Sequence, residues 1–252
     1  MGYQYSHLID PRSYDSQGLC DGIPLRVHRN ADLAEAGIIR LRNDWRRYVG
    51  PLPLNSFGGG MGPVYNFPSV AIPECHPNRL EIVSYITEFG FLHDDIVDKP
   101  KANEGAALDT KSGRERIRSN IVNEIMSIDP LRAKEFIAIW TKGFGVGQDR
   151  THFIDFDDYL HYRVVGRGSF FMTSLTIFGM CLTIPPEEKE EFWRITRPAW
   201  AAAVLTNDLQ SWDKEWRLFQ TQDETDMANG IWVLMKQYSI EIDDAKIMSY
   251  KD

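Results

Sequence analysis

Two groups of oxygen-bearing side chains have a spacing that could support metal chemistry. The first is an aspartate cluster, Asp94, Asp95 and Asp98, directly after the apolar run FGFL at 89–92. On a helix, residues four apart lie on one face, so Asp94 and Asp98 project together while Asp95 points about 100° away. Clustered carboxylates repel one another unless a cation or a basic group compensates. The cluster therefore predicts a counter-charge, although a solvated helix end explains it equally well when taken alone.

The second group is Asn207, Ser211 and Glu215, which follow one another at intervals of four residues. Their amide, hydroxyl and carboxylate oxygens therefore lie on one stripe of a helix. Hard oxygen ligands of this kind suit Mg²⁺, which prefers near-octahedral oxygen coordination. The preceding run PAWAAAVL, at 198–205, is apolar and small. This favours a stripe that continues from a buried helix over one that faces solvent.

Helical periodicity predicts the elements that carry both groups. Apolar residues recur every three to four positions over Asp32 to Tyr48 and over Pro77 to Ile96. Further helices are predicted at Glu115–Ser127, Leu131–Phe144, Phe156–Val165, Ser169–Leu182, Pro186–Lys214, Glu224–Gln237 and Asp243–Tyr250. Residues 1–30 are expected to form an irregular arm, and no stretch alternates long enough to predict a strand. The expected fold class is all-α, with one domain over residues 1–252.

Composition and charge narrow the classes of function. The net charge of −8 argues against a nucleic-acid partner, whose phosphates attract basic surfaces. Three cysteines, Cys20, Cys75 and Cys181, show no CxxC spacing, which indicates free thiols in a reducing compartment and a cytoplasmic location. The longest apolar run, Gly168 to Ile184, is short and rich in hydroxyl groups, so no membrane span is expected.

The two groups together resemble the aspartate-rich motif and the NDxxSxxxE triad that mark class I terpene synthases. The stretches YNFPSVAIPECHPNRLEIVSYITEFGFLHDDIVD and NDLQSWDKEW are similar to the cyclase domain of fungal chimeric di- and sesterterpene synthases of the fusicoccadiene synthase type. The resemblance runs from the N-terminal arm to about residue 250. It implies a class I terpenoid synthase helical bundle around a central apolar cavity, with both motifs at the same mouth.

The resemblance also implies a role for each motif residue. Three Mg²⁺ ions are expected to bridge the two motifs and a bound diphosphate, and no further cofactor is expected. The expected metal ligands are Asp94, Asp98, Asn207, Ser211 and Glu215. The neighbours Asp95, Asp208, Asp213 and Lys214 are not expected to be ligands.

Arg163, 44 residues before Asn207, matches the diphosphate-sensing arginine of the family. The planar guanidinium of arginine binds phosphate through two parallel hydrogen bonds. Without the two motifs, a surface arginine in a salt bridge would be the simpler interpretation. The sequence departs from the family three residues later, because Gly166 stands where many relatives have an acidic residue, and this departure puts the ionisation trigger in question.

Three aromatic residues are candidates for stabilising a carbocation through cation–π contact. Phe91 lies three residues before Asp94 on the same helix face, Trp200 lies seven before Asn207, and Phe67 belongs to the matched YNF segment. Each could instead be an ordinary core residue. Phe91 is the favoured candidate among them.

The family has further helices after the segment that ends here, one of which carries an Arg-Tyr pair that contacts diphosphate. This sequence contains no such pair after the triad, since Arg47-Tyr48 is its only one. The chimeric relatives also carry a prenyltransferase domain, to which nothing in 1–252 corresponds. The expectation is a cyclase domain that is incomplete at its C-terminus, with apolar residues of Ser169–Leu182 and Pro186–Leu205 unusually exposed.

The expected function is Mg²⁺-dependent ionisation and cyclisation of a linear prenyl diphosphate, geranylgeranyl or geranylfarnesyl, to a polycyclic hydrocarbon with release of diphosphate. Two alternatives remain open: a truncated non-catalytic remnant, and a prenyl-chain elongating transferase. The second fits less well, because that class carries two aspartate-rich motifs. The expected partners are the substrate, a prenyltransferase domain or chain and a second copy in a homo-oligomer.

Overall fold

Ten α-helices account for most of the part of the chain that the computed structural model describes. This part comprises residues 2–16, 18, 22–52, 60–62, 64–97, 110–145, 150–221 and 225–249, of which 94–97, 110, 142–145 and 167 are described by their backbone alone. The helices are α1 (Ala31–Tyr48), α2 (Phe67–Ala71), α3 (Pro77–Val97), α4 (Thr110–Ile128), α5 (Pro130–Gly145), α6 (Phe156–Val164), α7 (Arg167–Gly179), α8 (Lys189–Phe219), α9 (Gly230–Tyr238) and α10 (Ile242–Met248). The all-α prediction is confirmed.

The chain divides into two compact units. The first contains Met1–Ala138 and Ser174–Thr183, and the second contains Ile139–Thr173 and Ile184–Asp252. In the first unit, α1 packs closely on α3, because a Cβ on Gly37 would lie only 2.1 Å from the backbone oxygen of Glu81. Apolar side chains at helical spacing form its core, among them Ile38, Leu41, Trp45, Leu80, Val83, Ile86, Ile117 and Ile121.

The expectation of an irregular arm without strands at residues 1–30 was wrong. Ser6–Leu8 forms strand β1 and Arg26–His28 forms strand β2, and they pair antiparallel with Ser6 opposite His28. Three residues are too few for the alternation that reveals a strand in a sequence. A short helix, α2, also lies between the predicted helices Asp32–Tyr48 and Pro77–Ile96, where none was predicted, and the side chain of Asn66 caps it by accepting the Ser69 N–H.

In the second unit, the side chains of α8, α9 and α10 share a core. It consists of the buried residues Trp212, Met227, Ile231, Leu234 and Ala245. α8 spans 31 residues and tolerates Pro198 in its interior. It ends five residues later than predicted, and α9 begins at Gly230 rather than at Glu224. These two boundaries place the loop between α8 and α9 next to the triad.

The prediction of exposed apolar residues held for one helix and failed for the other. In α7, Phe170, Leu175 and Phe178 are buried, so the prediction was wrong there. In the first half of α8, Ile195 is 58% exposed, as predicted. Among the described residues, no helix is both long and apolar enough to cross a membrane.

Candidate functional site

The predicted metal ligands fall on two helices. Asp94 belongs to the last turn of α3, where only the backbone is described, and Asp98 lies outside the described residues. Asn207, Ser211 and Glu215 lie on α8 as predicted, with Asn207 exposed and the other two half-buried. The described part of the site is therefore built around the triad on α8.

Arg163 contacts the first two residues of the triad motif. It lies in the last turn of α6, and its Nη2 donates to Asp208 Oδ1 at 2.8 Å and to Asn207 Oδ1 at 3.3 Å. The Asp208 side chain is only 2% exposed, whereas that of Arg163 is 29% exposed. The structure therefore brings together two residues 44 positions apart that the sequence assigned to one site.

Asp208 is the buried centre of this arrangement. Besides Arg163, its carboxylate accepts the Tyr159 hydroxyl and, at 3.0 Å, the backbone N–H of Gly230. Tyr159 precedes Arg163 by four residues, so both lie on one face of α6. The Gly230 N–H belongs to the first turn of α9. One carboxylate on α8 thus joins α6 and α9.

The charges of this group are set by burial and by the close partners. Burial raises the pKa of Asp208, while the nearby Arg163 acts to lower it. For Arg163, burial lowers the pKa, but Tyr159 and Asp208 raise it, and the net pKa lies above the ordinary value. The guanidinium therefore stays charged at any pH at which the protein is folded.

Glu215 is held by the loop that precedes α9. Asn229 Nδ2 donates to Glu215 Oε2 at 2.9 Å and to the Asp208 backbone oxygen at 3.1 Å. Asn229 is fully buried and caps α9, since its Oδ1 accepts the Ile231 N–H at 2.9 Å. The N-cap of α9 therefore contacts α8 at two positions that are seven residues, or about two turns, apart.

The residues of this cluster fit a metal–diphosphate ligand. The triad offers an amide, a hydroxyl and a carboxylate oxygen on one stripe, a donor set that suits Mg²⁺. The buried Arg163 Nε has no hydrogen-bond partner among the described residues, so one donor of the guanidinium is left for an anion. Within the described part, no group of three His, Cys, Asp or Glu side chains is placed so that it could hold a metal ion, and the triad itself contributes only one such side chain, Glu215.

Two of the candidate aromatic residues lie together in the first unit. Phe91 of α3 and Phe67 of α2 pack edge to face with ring centroids 5.3 Å apart. They are 36% and 41% exposed, so neither is an ordinary core residue. Trp200 lies half-buried on α8, seven residues or about two turns before Asn207.

Gly166 lies in the tight turn that follows α6. Its N–H donates to the Arg163 backbone oxygen at 3.1 Å, and a Cβ there would lie 2.9 Å from the same oxygen. An acidic side chain at this position, which the resemblance led us to expect, would therefore require the turn to shift. Arg163 is oriented instead by Asp208.

Sequence reasoning missed Tyr159, Asn229 and Gly230, and it treated Asp208 only as a neighbour of the triad. The i, i+4 spacing of Tyr159 and Arg163 was visible in the sequence. So was the helix-capping preference of Asn229, which the prediction of a helix from Glu224 concealed. The contact of Asn229 with Glu215 depends on how α9 packs and left no trace in the sequence.

Part of the chain, including most of the second unit, is similar to a known family. Residues 132–249 match the family described as terpene synthase family 2, C-terminal metal binding. The chain is 56% identical to phomopsene synthase of Phomopsis amygdali over 98% of its own length and 36% of that protein. It is 35% identical to fusicoccadiene synthase of the same fungus, covering 97% of itself and 38% of that protein. The chain spans about a third of the length of the curated relatives it matches.

Solved structures share the fold at low identity. Aristolochene synthase from Penicillium roqueforti superimposes with a TM-score of 0.66 at 15% identity, over 89% of this chain and 79% of that one. Germacradien-4-ol synthase from Streptomyces citricolor gives a TM-score of 0.63 at 15% identity, over 90% of this chain and 79% of that one. These likenesses establish a common helical fold.

Proposed function

We propose that this chain is a class I terpene synthase, a cyclase domain similar to those of fungal bifunctional di- and sesterterpene synthases, and that it ionises and cyclises a linear prenyl diphosphate. The proposed substrates are geranylgeranyl and geranylfarnesyl diphosphate, and the proposed product is a polycyclic hydrocarbon. The observation that carries the proposal is the Arg163 guanidinium, bonded to Asn207 and Asp208 and left with a buried free Nε among the described residues.

The proposed chemistry is heterolysis of the allylic C–O bond. Negative charge develops on the departing diphosphate, and Arg163 stabilises it. A guanidinium that is already fixed in a partly buried site interacts more strongly with such a charge than one in water. Mg²⁺, when bound, would supply the remaining charge stabilisation. Its proposed ligands are Asn207, Ser211 and Glu215 of the triad and Asp94 and Asp98 of the aspartate-rich motif. Aromatic faces such as those of Phe91, Phe67 and Trp200 stabilise the carbocation by cation–π contact.

The proposal is tested by incubating the protein with each diphosphate and Mg²⁺ and analysing the hydrocarbons. Asp94→Ala and Asn207→Ala should each lower product formation by roughly a hundredfold or more, because each removes an oxygen ligand that acts on the leaving group. Phe91→Ala should change the product spectrum or the share of cyclised products instead. Asp213→Ala is the matched control, since this carboxylate is 77% exposed on the same helix.

Two results would contradict the proposal. Full turnover by Asp94→Ala and Asn207→Ala alike, with unchanged Mg²⁺ dependence, would remove the assigned site. A product that forms only when isopentenyl diphosphate is added would indicate chain elongation rather than cyclisation.

A further inference from the structure

We propose that Asn229 is a positioning residue for the metal site, which holds the Glu215 carboxylate in the orientation that metal binding requires. The inference rests on the proposed function, because it takes Glu215 as a metal ligand. It assigns a role to a residue outside both motifs, 14 positions beyond Glu215 and in a different element.

Every polar atom of the Asn229 side chain is engaged. Oδ1 accepts the Ile231 N–H, while Nδ2 donates to both Glu215 Oε2 and the Asp208 backbone oxygen. Turning the amide over would place its NH₂ against the Ile231 N–H and its oxygen against two acceptors. The amide therefore has one satisfied orientation, and in it an N–H points at Glu215.

The segment that carries Asn229 is itself fixed. Its own N–H donates to the Met227 backbone oxygen at 3.0 Å, and Met227 is buried in the core of the second unit. Asp226 accepts the Lys236 ammonium and, at 3.3 Å, Trp232 Nε1, both from α9. The loop is thus tied to α9 on one side and to the core on the other, so Asn229 is a rigid donor.

Glu215 depends on this donor. Among the described residues, Asn229 is the one that donates a hydrogen bond to the Glu215 carboxylate. The bond engages Oε2 and restrains the rotation of the carboxylate, and the proposed cation would bind Oε1. Groups that hydrogen-bond a metal ligand in this way typically contribute 10- to 100-fold to metal affinity.

The test separates the positioning role from the capping role. In Asn229→Ser the hydroxyl still caps α9, because serine and asparagine are comparable caps, but the donor to Glu215 is lost. We expect the dissociation constant for Mg²⁺, titrated calorimetrically in the presence of inorganic diphosphate, to rise by roughly 10- to 100-fold. The thermal midpoint without Mg²⁺ should change little. Asn229→Asp, which also keeps the cap but faces Glu215 with a like charge, should weaken Mg²⁺ binding further and serves if the serine variant does not fold.

Asn66→Ser is the matched control. Asn66 also caps a helix, α2, and also donates its amide to a backbone oxygen, that of Ala31 at 2.9 Å. Asn66 has no hydrogen bond to a proposed metal ligand, so the Mg²⁺ affinity of the Asn66→Ser variant should equal that of the unmodified protein. A loss of affinity equal to that of Asn229→Ser would attribute both effects to general destabilisation and overturn the inference.

Two further variants distinguish failure of the inference from failure of the proposed function. If Glu215→Ala weakens Mg²⁺ binding and Asn229→Ser does not, Asn229 has no positioning role while the proposed function stands. If neither Glu215→Ala nor Asn207→Ala weakens Mg²⁺ binding, the metal site itself is wrong, and the inference fails with it.

Discussion

At the scale of single residues, the site is organised by a carboxylate that is not a proposed ligand. Asp208 is 1% exposed, and a buried charge is costly unless it is paired and hydrogen-bonded. Arg163, Tyr159 and the Gly230 N–H meet this requirement together. The arginine is therefore aimed by a group that is itself fixed from three directions, which is a condition for electrostatic stabilisation without reorganisation.

Tyr159→Phe tests the contribution of the tyrosine hydroxyl, which donates to Asp208. The ring keeps its packing, but the buried Asp208 carboxylate loses one hydrogen bond, so the free energy of unfolding should fall by about 1–3 kcal/mol. Urea denaturation measures this change. Tyr238→Phe is the control, since Tyr238 is 52% exposed, and it should be nearly neutral. Equal effects of the two variants would mean that the Tyr159 hydroxyl contributes nothing specific.

Spacing along the chain predicted which residues of α8 would share a stripe, because helical geometry alone determines it. It also selected Arg163, which the structure places 3.3 Å from Asn207. Spacing could not reveal Asn229 or Gly230, whose roles arise where the start of one helix meets the side of another. Residues of this kind are defined by tertiary packing and carry no motif.

At the scale of elements, strongly periodic helices were predicted well and short or capped elements were not. α1 and α3 match their predicted bounds to within one residue, because a helix that packs on the core carries a long apolar stripe, which is visible in the sequence. β1 and β2 are too short to show a period. α9 was predicted to begin at Glu224, because the Asn229-Gly230 pair was taken as helix interior rather than as a cap and first residue.

Gly230→Ala tests how closely α9 must approach α8. A Cβ at Gly230 would lie 3.1 Å from both Asp208 Oδ2 and Tyr159 Cε1, so these neighbours must move by a few tenths of an ångström, which we expect to weaken the hydrogen bond from the Gly230 N–H to Asp208. We expect a loss of about 1–2 kcal/mol in the free energy of unfolding. Gly168→Ala in α7 is the opposite case, with nothing within 4 Å of the added Cβ, and should stabilise by about 0.4–1 kcal/mol. Stabilisation by both variants would show that the close approach is not required.

At the scale of the whole molecule, the described contacts of the triad and of Arg163 all fall in the second unit. Arg163, Asn207, Glu215 and Asn229 belong to Ile139–Thr173 and Ile184–Asp252, which overlap the family match over residues 132–249. The aspartate-rich motif, at Asp94, belongs to the first unit. The joint action of the two motifs on one diphosphate therefore remains a prediction from the resemblance, and the Asp94→Ala variant addresses it.

The chain has an excess of acidic residues, with a net charge of −8, and its stability should depend on keeping key carboxylates ionised. Asp129 is the strongest case, because its side chain is 12% exposed and binds Arg79 at 2.7 Å and Arg132 at 2.9 Å. Burial raises the pKa of Asp129, but the hydrogen bonds from Arg79 and Arg132 hold it well below the ordinary value of 3.8. A carboxyl whose folded pKa is depressed stabilises the protein above its unfolded pKa and loses that contribution as the pH falls through the folded pKa.

Asp129→Asn should therefore destabilise the protein most near neutral pH. The asparagine oxygen can still accept the Arg132 backbone N–H, at 3.1 Å in the structure, so the substitution removes mainly the charge. The gap in urea midpoint between the variant and the unmodified protein should be largest at pH 6 and should narrow progressively below about pH 4, because this carboxyl then takes up a proton in the unfolded chain while it stays ionised in the folded protein, which favours unfolding. Asp213→Asn, at a 77% exposed position, should leave the midpoint almost unchanged at either pH. A gap that is equally wide at pH 6 and pH 2.5 would mean that the Asp129 charge is not what stabilises this junction of α3 and α5.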